Sequence, residues 1–123
     1  MSPRRYTCAC CGHVTLEDSP GSFVICKVCF WEDDPVQLLD PWYSGGANGP
    51  SLVEAQENFR LHGASERRFL QQVRKPLPDE ARDPSWRPAI ETDRARVTTP
   101  AELGRRLPEG NWPWYYWVAR HDA

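Results

Sequence analysis

Five cysteines hold the most specific chemistry in this chain: Cys8, Cys10, Cys11, Cys26 and Cys29. Cys8 to Cys11 is a C-x2-C step, Cys26 to Cys29 is another, and 14 residues separate the two pairs. A C-x2-C turn bends the backbone so that both sulfurs aim at one point. Two such turns close a tetrahedron around an ion, with sulfur to metal distances of about 2.3 Å and no open coordination position. The spacing therefore predicts one structural Zn²⁺ held by Cys8, Cys11, Cys26 and Cys29. Cys11 is preferred to Cys10 because it completes the same x2 step as the second pair. It also precedes Gly12, which tolerates the positive φ of a knuckle turn.

Cys10 is then the spare, read as a small buried residue in preference to a reactive thiol. His13 lies beside the first pair, but four cysteines already fill the shell. His62 and His121 have no partner constellation. Glu32, Asp33 and Asp34 follow the second pair and could serve a second metal or acid–base chemistry. No accompanying nucleophile is evident, so capping or solvation is the favoured account. The run Gly45-Gly46-Ala47-Asn48-Gly49 invites a phosphate-loop reading, yet it lacks the G-x-x-x-x-G-K-[ST] pattern. Trp112, Trp114, Tyr115, Tyr116 and Trp117 suit a core or protein interface better than base stacking, because Arg120 alone makes no basic groove.

These residues need elements to position them. His13 to Glu17 and Ser22 to Ile25 read as two strands joined by the turn Asp18-Ser19-Pro20-Gly21, a hairpin with a knuckle at each end. Residues 35–50 read as loop. Ser51-Leu52-Val53-Glu54 is a capping box for a helix that carries Leu52, Ala55 and Phe59 inward and stops at Gly63. A second short helix is predicted over Glu66–Val73. Residues 76–96 form an irregular connector anchored by Trp86, Thr99 opens a short helix to about Leu107, and the aromatic run forms a terminal strand with Trp114, Tyr116 and Val118 on one face.

The chain has 123 residues, enough for a small metal module and a packed extension, here 1–36 and 37–123, as one compact unit. Net charge is -2 and the basic residues are dispersed, which argues against a generic nucleic-acid binder. No apolar run reaches the roughly 20 residues that span a bilayer. The N-terminus lacks the apolar core of a secretory signal, so the expectation is a cytoplasmic protein whose thiols stay reduced for metal.

The stretches Cys8-Ala9-Cys10-Cys11-Gly12, Phe23 to Pro35, Gly45 to Gly49 and Ser51 to Ala55, with Asn58-Phe59, resemble the bacterial cysteine-rich CPCC family. The resemblance covers roughly residues 6–75 and implies a zinc-binding protein without an established reaction. Ala9 stands where the family usually has proline, and Lys27 where many zinc knuckles have it. The fold class expected is α+β: an N-terminal zinc-ribbon β-hairpin, two to three short helices and a C-terminal aromatic strand. The function expected is a non-enzymatic zinc-binding interaction protein with a protein partner. The alternatives are a nucleic-acid-binding ribbon using Arg60, Arg67, Arg68 and Arg74, and a metal-dependent hydrolase using the carboxylates.

Overall fold

The computed structural model describes residues 5–96 and 115–118. Strand β1 is Tyr6–Thr7, strand β2 is Val14–Leu16, helix α1 is Pro35–Leu39 and helix α2 is Leu52–His62. Two 3-10 turns follow, Arg67–Phe69 and Glu91–Arg96. The α+β class holds.

The strand pairing differs from the sequence expectation. β2 pairs with β1, antiparallel, with Tyr6 opposite Leu16 and Thr7 opposite Val14. The segment expected as its return strand turns elsewhere: Ile25 bridges to Glu32, and Val24 and Phe23 exchange backbone bonds with Asp33 at 3.0 Å each. The reason is local. Each C-x2-C turn is tight enough to reverse the chain, so each knuckle closes its own ribbon, and the turn at Asp18 to Gly21 links the two ribbons instead of closing one.

α1 falls inside the segment read as loop. Asp34 caps it through Val36 N–H, and Pro35 occupies the first turn, where its missing N–H costs nothing. Leu38 and Leu39 are buried. α2 follows its sequence signals closely. Ser51 and Glu54 form the reciprocal capping box, and Gly63 ends the helix at φ 89°. Leu52 and Ala55 lie in the core, with Phe59 half-buried against it.

The helix expected over Glu66–Val73 shrinks to the 3-10 turn at Arg67–Phe69, with no side-chain cap. Phe69 docks on Phe30, with ring centroids 4.5 Å apart, but Leu70 stays 41% exposed. One docked ring does not bury enough apolar surface to hold a longer helix.

The aromatic run forms a turn at residues 115–118, closed by Val118 N–H to Tyr115 O at 3.0 Å, and not a strand. Tyr115 donates to Thr7 O and Tyr116 to Arg87 O. Both hydroxyls reach inward acceptors from adjacent positions, which a strand would send to opposite faces. Tyr116 is a core residue, and Trp117 stacks on Tyr115 at 4.1 Å. The helix expected from Thr99, together with Trp112, Trp114, Arg120 and His121, lies outside the described residues.

The core gathers Trp31, Leu16, Leu38, Leu52 and Ala55 around the buried cysteines. The connector after residue 76 closes over the first knuckle. Asp83 N–H donates to Gly12 O at 2.7 Å, Val14 N–H to Ala81 O at 3.1 Å, and Thr7 Oγ1 to Asp83 at 2.7 Å. Among the described residues no helix is long and apolar enough to cross a membrane.

Candidate metal centre

The two knuckles share one backbone pattern. In the first, Gly12 N–H reaches Cys8 O at 2.8 Å and Cys8 N–H reaches His13 O at 2.9 Å. In the second, Phe30 N–H reaches Cys26 O at 2.7 Å and Cys26 N–H reaches Trp31 O at 2.9 Å. The residue after the last cysteine has positive φ in both: 80° at Gly12 and 68° at Phe30. Glycine adopts this freely, whereas phenylalanine there carries a backbone cost of about 1–2 kcal/mol. The contact with Phe69 offsets part of it.

The knuckles face each other and bring four sulfurs together. The Sγ atoms of Cys8, Cys11, Cys26 and Cys29 all lie within 4.8 Å of one another. Cys8 to Cys29 is 3.5 Å and Cys11 to Cys26 is 3.8 Å. A tetrahedral four-thiolate site with bonds of about 2.3 Å has edges of about 3.8 Å, close to these two separations, so the cluster has the spacing that could hold such an ion. All four residues are fully buried. Thr15 Oγ1 lies 3.0 Å from Cys26 Sγ and can donate to it, stabilising negative charge on that sulfur.

The electrostatics favour the same use. Burial, with hydrogen bonding among the sulfurs, pushes the Cys8 and Cys29 thiols well up. Cys11 is pushed up first by its bond with Cys26, and then by Cys29. Cys26 is held far down by the hydrogen bonds it receives from Cys11, Cys29 and Cys8. Four sulfurs in one dry space cannot all be anionic without a cation among them, and a divalent ion supplies that charge.

The other candidate residues are occupied by structure. His13 Nδ1 is 2.8 Å from Glu80 O and stands outside the sulfur cluster. Cys10 is buried. Asp33 accepts from Gly21 N–H at 2.7 Å, and Asp34 accepts from Val36 N–H and Ala47 N–H. The glycine-rich loop wraps this carboxylate: a Cβ on Gly46 would lie 2.5 Å from Asp34 Oδ2. Asn48 Oδ1 accepts from Glu32 N–H at 2.9 Å, while its Nδ2 donates to Glu32 O at 2.8 Å. Gln37 ties the same loop to Tyr43, Asn48 and Pro50. The carboxylates thus pin the chain beside the second knuckle. Of the arginines considered for a basic patch, Arg60 pairs with Glu57, Arg68 with Glu66 and Arg74 with Glu80.

The family model of the cysteine-rich CPCC proteins matches residues 6–80, well over half the chain. The chain belongs to the cysteine-rich CPCC family. Its matched region begins at β1, includes both knuckles and α2, and ends at Glu80, whose carbonyl meets His13 and whose carboxylate holds Arg74. No curated protein matches the sequence. Ala9, at the second position of the CPCC motif, is buried, and its carbonyl accepts from both Gln56 Nε2 and Trp86 Nε1 at 2.9 Å. Those two contacts hold the turn from outside.

The sequence missed two supports of the site. The network of Asp34, Gln37 and Asn48 had only the turn propensity of Asn48 as a signal. The left-handed Phe30 had none, since phenylalanine does not favour that conformation.

Proposed function

We propose that this CPCC protein is a non-enzymatic zinc protein of the zinc-ribbon type. One Zn²⁺, held by Cys8, Cys11, Cys26 and Cys29, fixes a scaffold that presents a protein-binding surface in the cytoplasm. The observation that carries this reading is the complete burial of four sulfurs at tetrahedral spacing. Such a shell leaves no position for water or substrate, which is the mark of a structural ion. Asp33 and Asp34 support the same conclusion, because both are buried as backbone acceptors and so are screened from a substrate. The paired arginines favour a protein partner over nucleic acid.

The candidate contact surface lies on the ribbon of the second knuckle, where Phe23 and Ile25 are 50% and 42% exposed. Exposed large apolar groups beside a rigid metal site fit a protein contact. Metal analysis of protein purified without added metal should give one zinc per chain. Affinity capture should then lose its specific partners in the double variant Phe23→Ser, Ile25→Ser, with zinc content unchanged. Metal-free folded protein overturns the first part, and capture unaffected by the double variant overturns the second.

A further inference from the structure

Helix α2 and the connector after residue 76 do not close on each other completely. Between them lies a cavity of about 720 Å³. Its apolar walls come from Val53 and Phe59 on one side and Trp86, Pro88 and Ala89 on the other. That volume is within the range of small-molecule sites, roughly 300–1,000 Å³.

The polar groups of the lining select among ligands. Gln56 is fully used: Nε2 donates to Ala9 O and to the Tyr116 hydroxyl, and Oε1 accepts from Ala89 N–H at 3.0 Å. Arg60 and Glu57 neutralise each other in a bidentate pair. Arg82 differs. Its Nε donates to Cys11 O at 3.1 Å, which fixes the guanidinium over the Trp86 ring, 5.3 Å from its centroid. No carboxylate among the described residues pairs with it. Two terminal nitrogens of a positioned guanidinium therefore remain for an acceptor, beside an indole face. A planar fork of this kind matches a carboxylate.

We propose that this cavity binds a small aromatic carboxylate, its ring against Trp86 and Phe59 and its anionic group on Arg82. A neutral aromatic ligand would gain the walls and leave Arg82 unmatched, and a cationic one would be repelled. The site does not depend on the protein-binding reading, and its test does not measure that reading.

The test is calorimetric titration of the zinc-loaded protein with naphthoate and with the neutral isostere naphthamide. Naphthoate should bind about threefold to tenfold more tightly, the difference expected of one charge-assisted hydrogen-bonded pair at an arginine that is itself exposed. Arg82→Gln should remove that preference. Val53→Trp, which fills the cavity from the helix side, should weaken both ligands. Zinc content and melting temperature establish that each variant is folded. Should Arg82→Gln fail to fold, Val53→Trp decides alone. Equal affinity for the two ligands, no binding of naphthoate, a preference that survives Arg82→Gln, or affinity unaffected by Val53→Trp each overturns the proposal.

Discussion

Trp86 lies directly on Gly12. A Cβ built on Gly12 would stand 2.5 Å from Cδ2 and Cε3 of the indole, at a backbone φ of 80°. The same indole donates from Nε1 to Ala9 O at 2.9 Å. The first knuckle is thus clamped from outside by a residue 74 positions away in the chain, which touches the turn where only glycine fits.

Gly12→Ala should therefore destabilise the zinc-loaded protein by about 2–4 kcal/mol. The left-handed backbone accounts for about 1–2 kcal/mol of this, and the displaced indole for the rest. Trp86→Ala in the same chain should recover the steric part alone, giving a measurable coupling in a double-mutant cycle. Additive losses in urea denaturation would show that the two residues do not share a contact.

Asn48 acts as a short strand for Glu32, meeting both its N–H and its C=O. Asn48→Ala leaves those groups without their partner and should cost about 2–4 kcal/mol. Asn48→Asp keeps the acceptor and loses the donor, so it should also destabilise. Chemical denaturation with zinc present reads both, and a loss below about 0.5 kcal/mol would rule out the bridging role.

Asp33 gives a pH dependence. Burial raises its carboxyl to about 6, against the stabilising N–H groups of Gly21 and Ser22, with Asp34 adding repulsion. A folded value above the unfolded one means that the charged form is disfavoured in the fold. The contribution is complete below about pH 4, the unfolded value, and is lost as pH rises through about 6. Stability should therefore increase as the pH falls below neutrality, by only about 0.4 kcal/mol on reaching pH 6 and by on the order of 2 kcal/mol by about pH 4. Asp33→Asn should flatten that slope. The measurement is made while zinc content is unchanged, because thiolate protonation opposes the trend at lower pH. A wild-type slope retained in the Asn variant would assign the effect elsewhere.

The fifth cysteine separates ligand from filler. On the proposed zinc reading, Cys26→Ser should abolish stoichiometric zinc and unfold at least the ribbon segments, since metal ligation would then supply much of the folding energy in so small a core. Cys10→Ala should retain one zinc and lose about 1–2 kcal/mol, the cost of a small buried side chain. Loss of zinc in Cys10→Ala would reassign the ligand set. Chelation of the wild type should reproduce the Cys26→Ser spectrum by circular dichroism.

The four-cysteine cluster and α2 were legible because their signals are local. Two C-x2-C steps fix sulfur direction within four residues each, and Ser51, Glu54 and Gly63 mark both helix ends by short-range hydrogen bonding and backbone freedom. The short helix after Asp34 was hidden for lack of length: five residues offer no periodicity to read. The strand pairing was misread because a turn signal at Asp18 to Gly21 is indistinguishable in sequence from a hairpin signal. The tight knuckles decided the pairing instead.

By itself the sequence determined which four cysteines form two matched turns, that Cys10 stands outside that group, and where α2 starts and stops. Each of these depends on neighbours within a few residues. Only the tertiary structure decided that the sulfurs meet at 3.5 and 3.8 Å, that Asp33 and Asp34 serve the backbone, and that Tyr115 and Tyr116 both point inward. It also decided that Arg82 is held over Trp86 beside a cavity. Those outcomes depend on which distant groups satisfy a buried donor or acceptor, and no spacing along the chain encodes that choice.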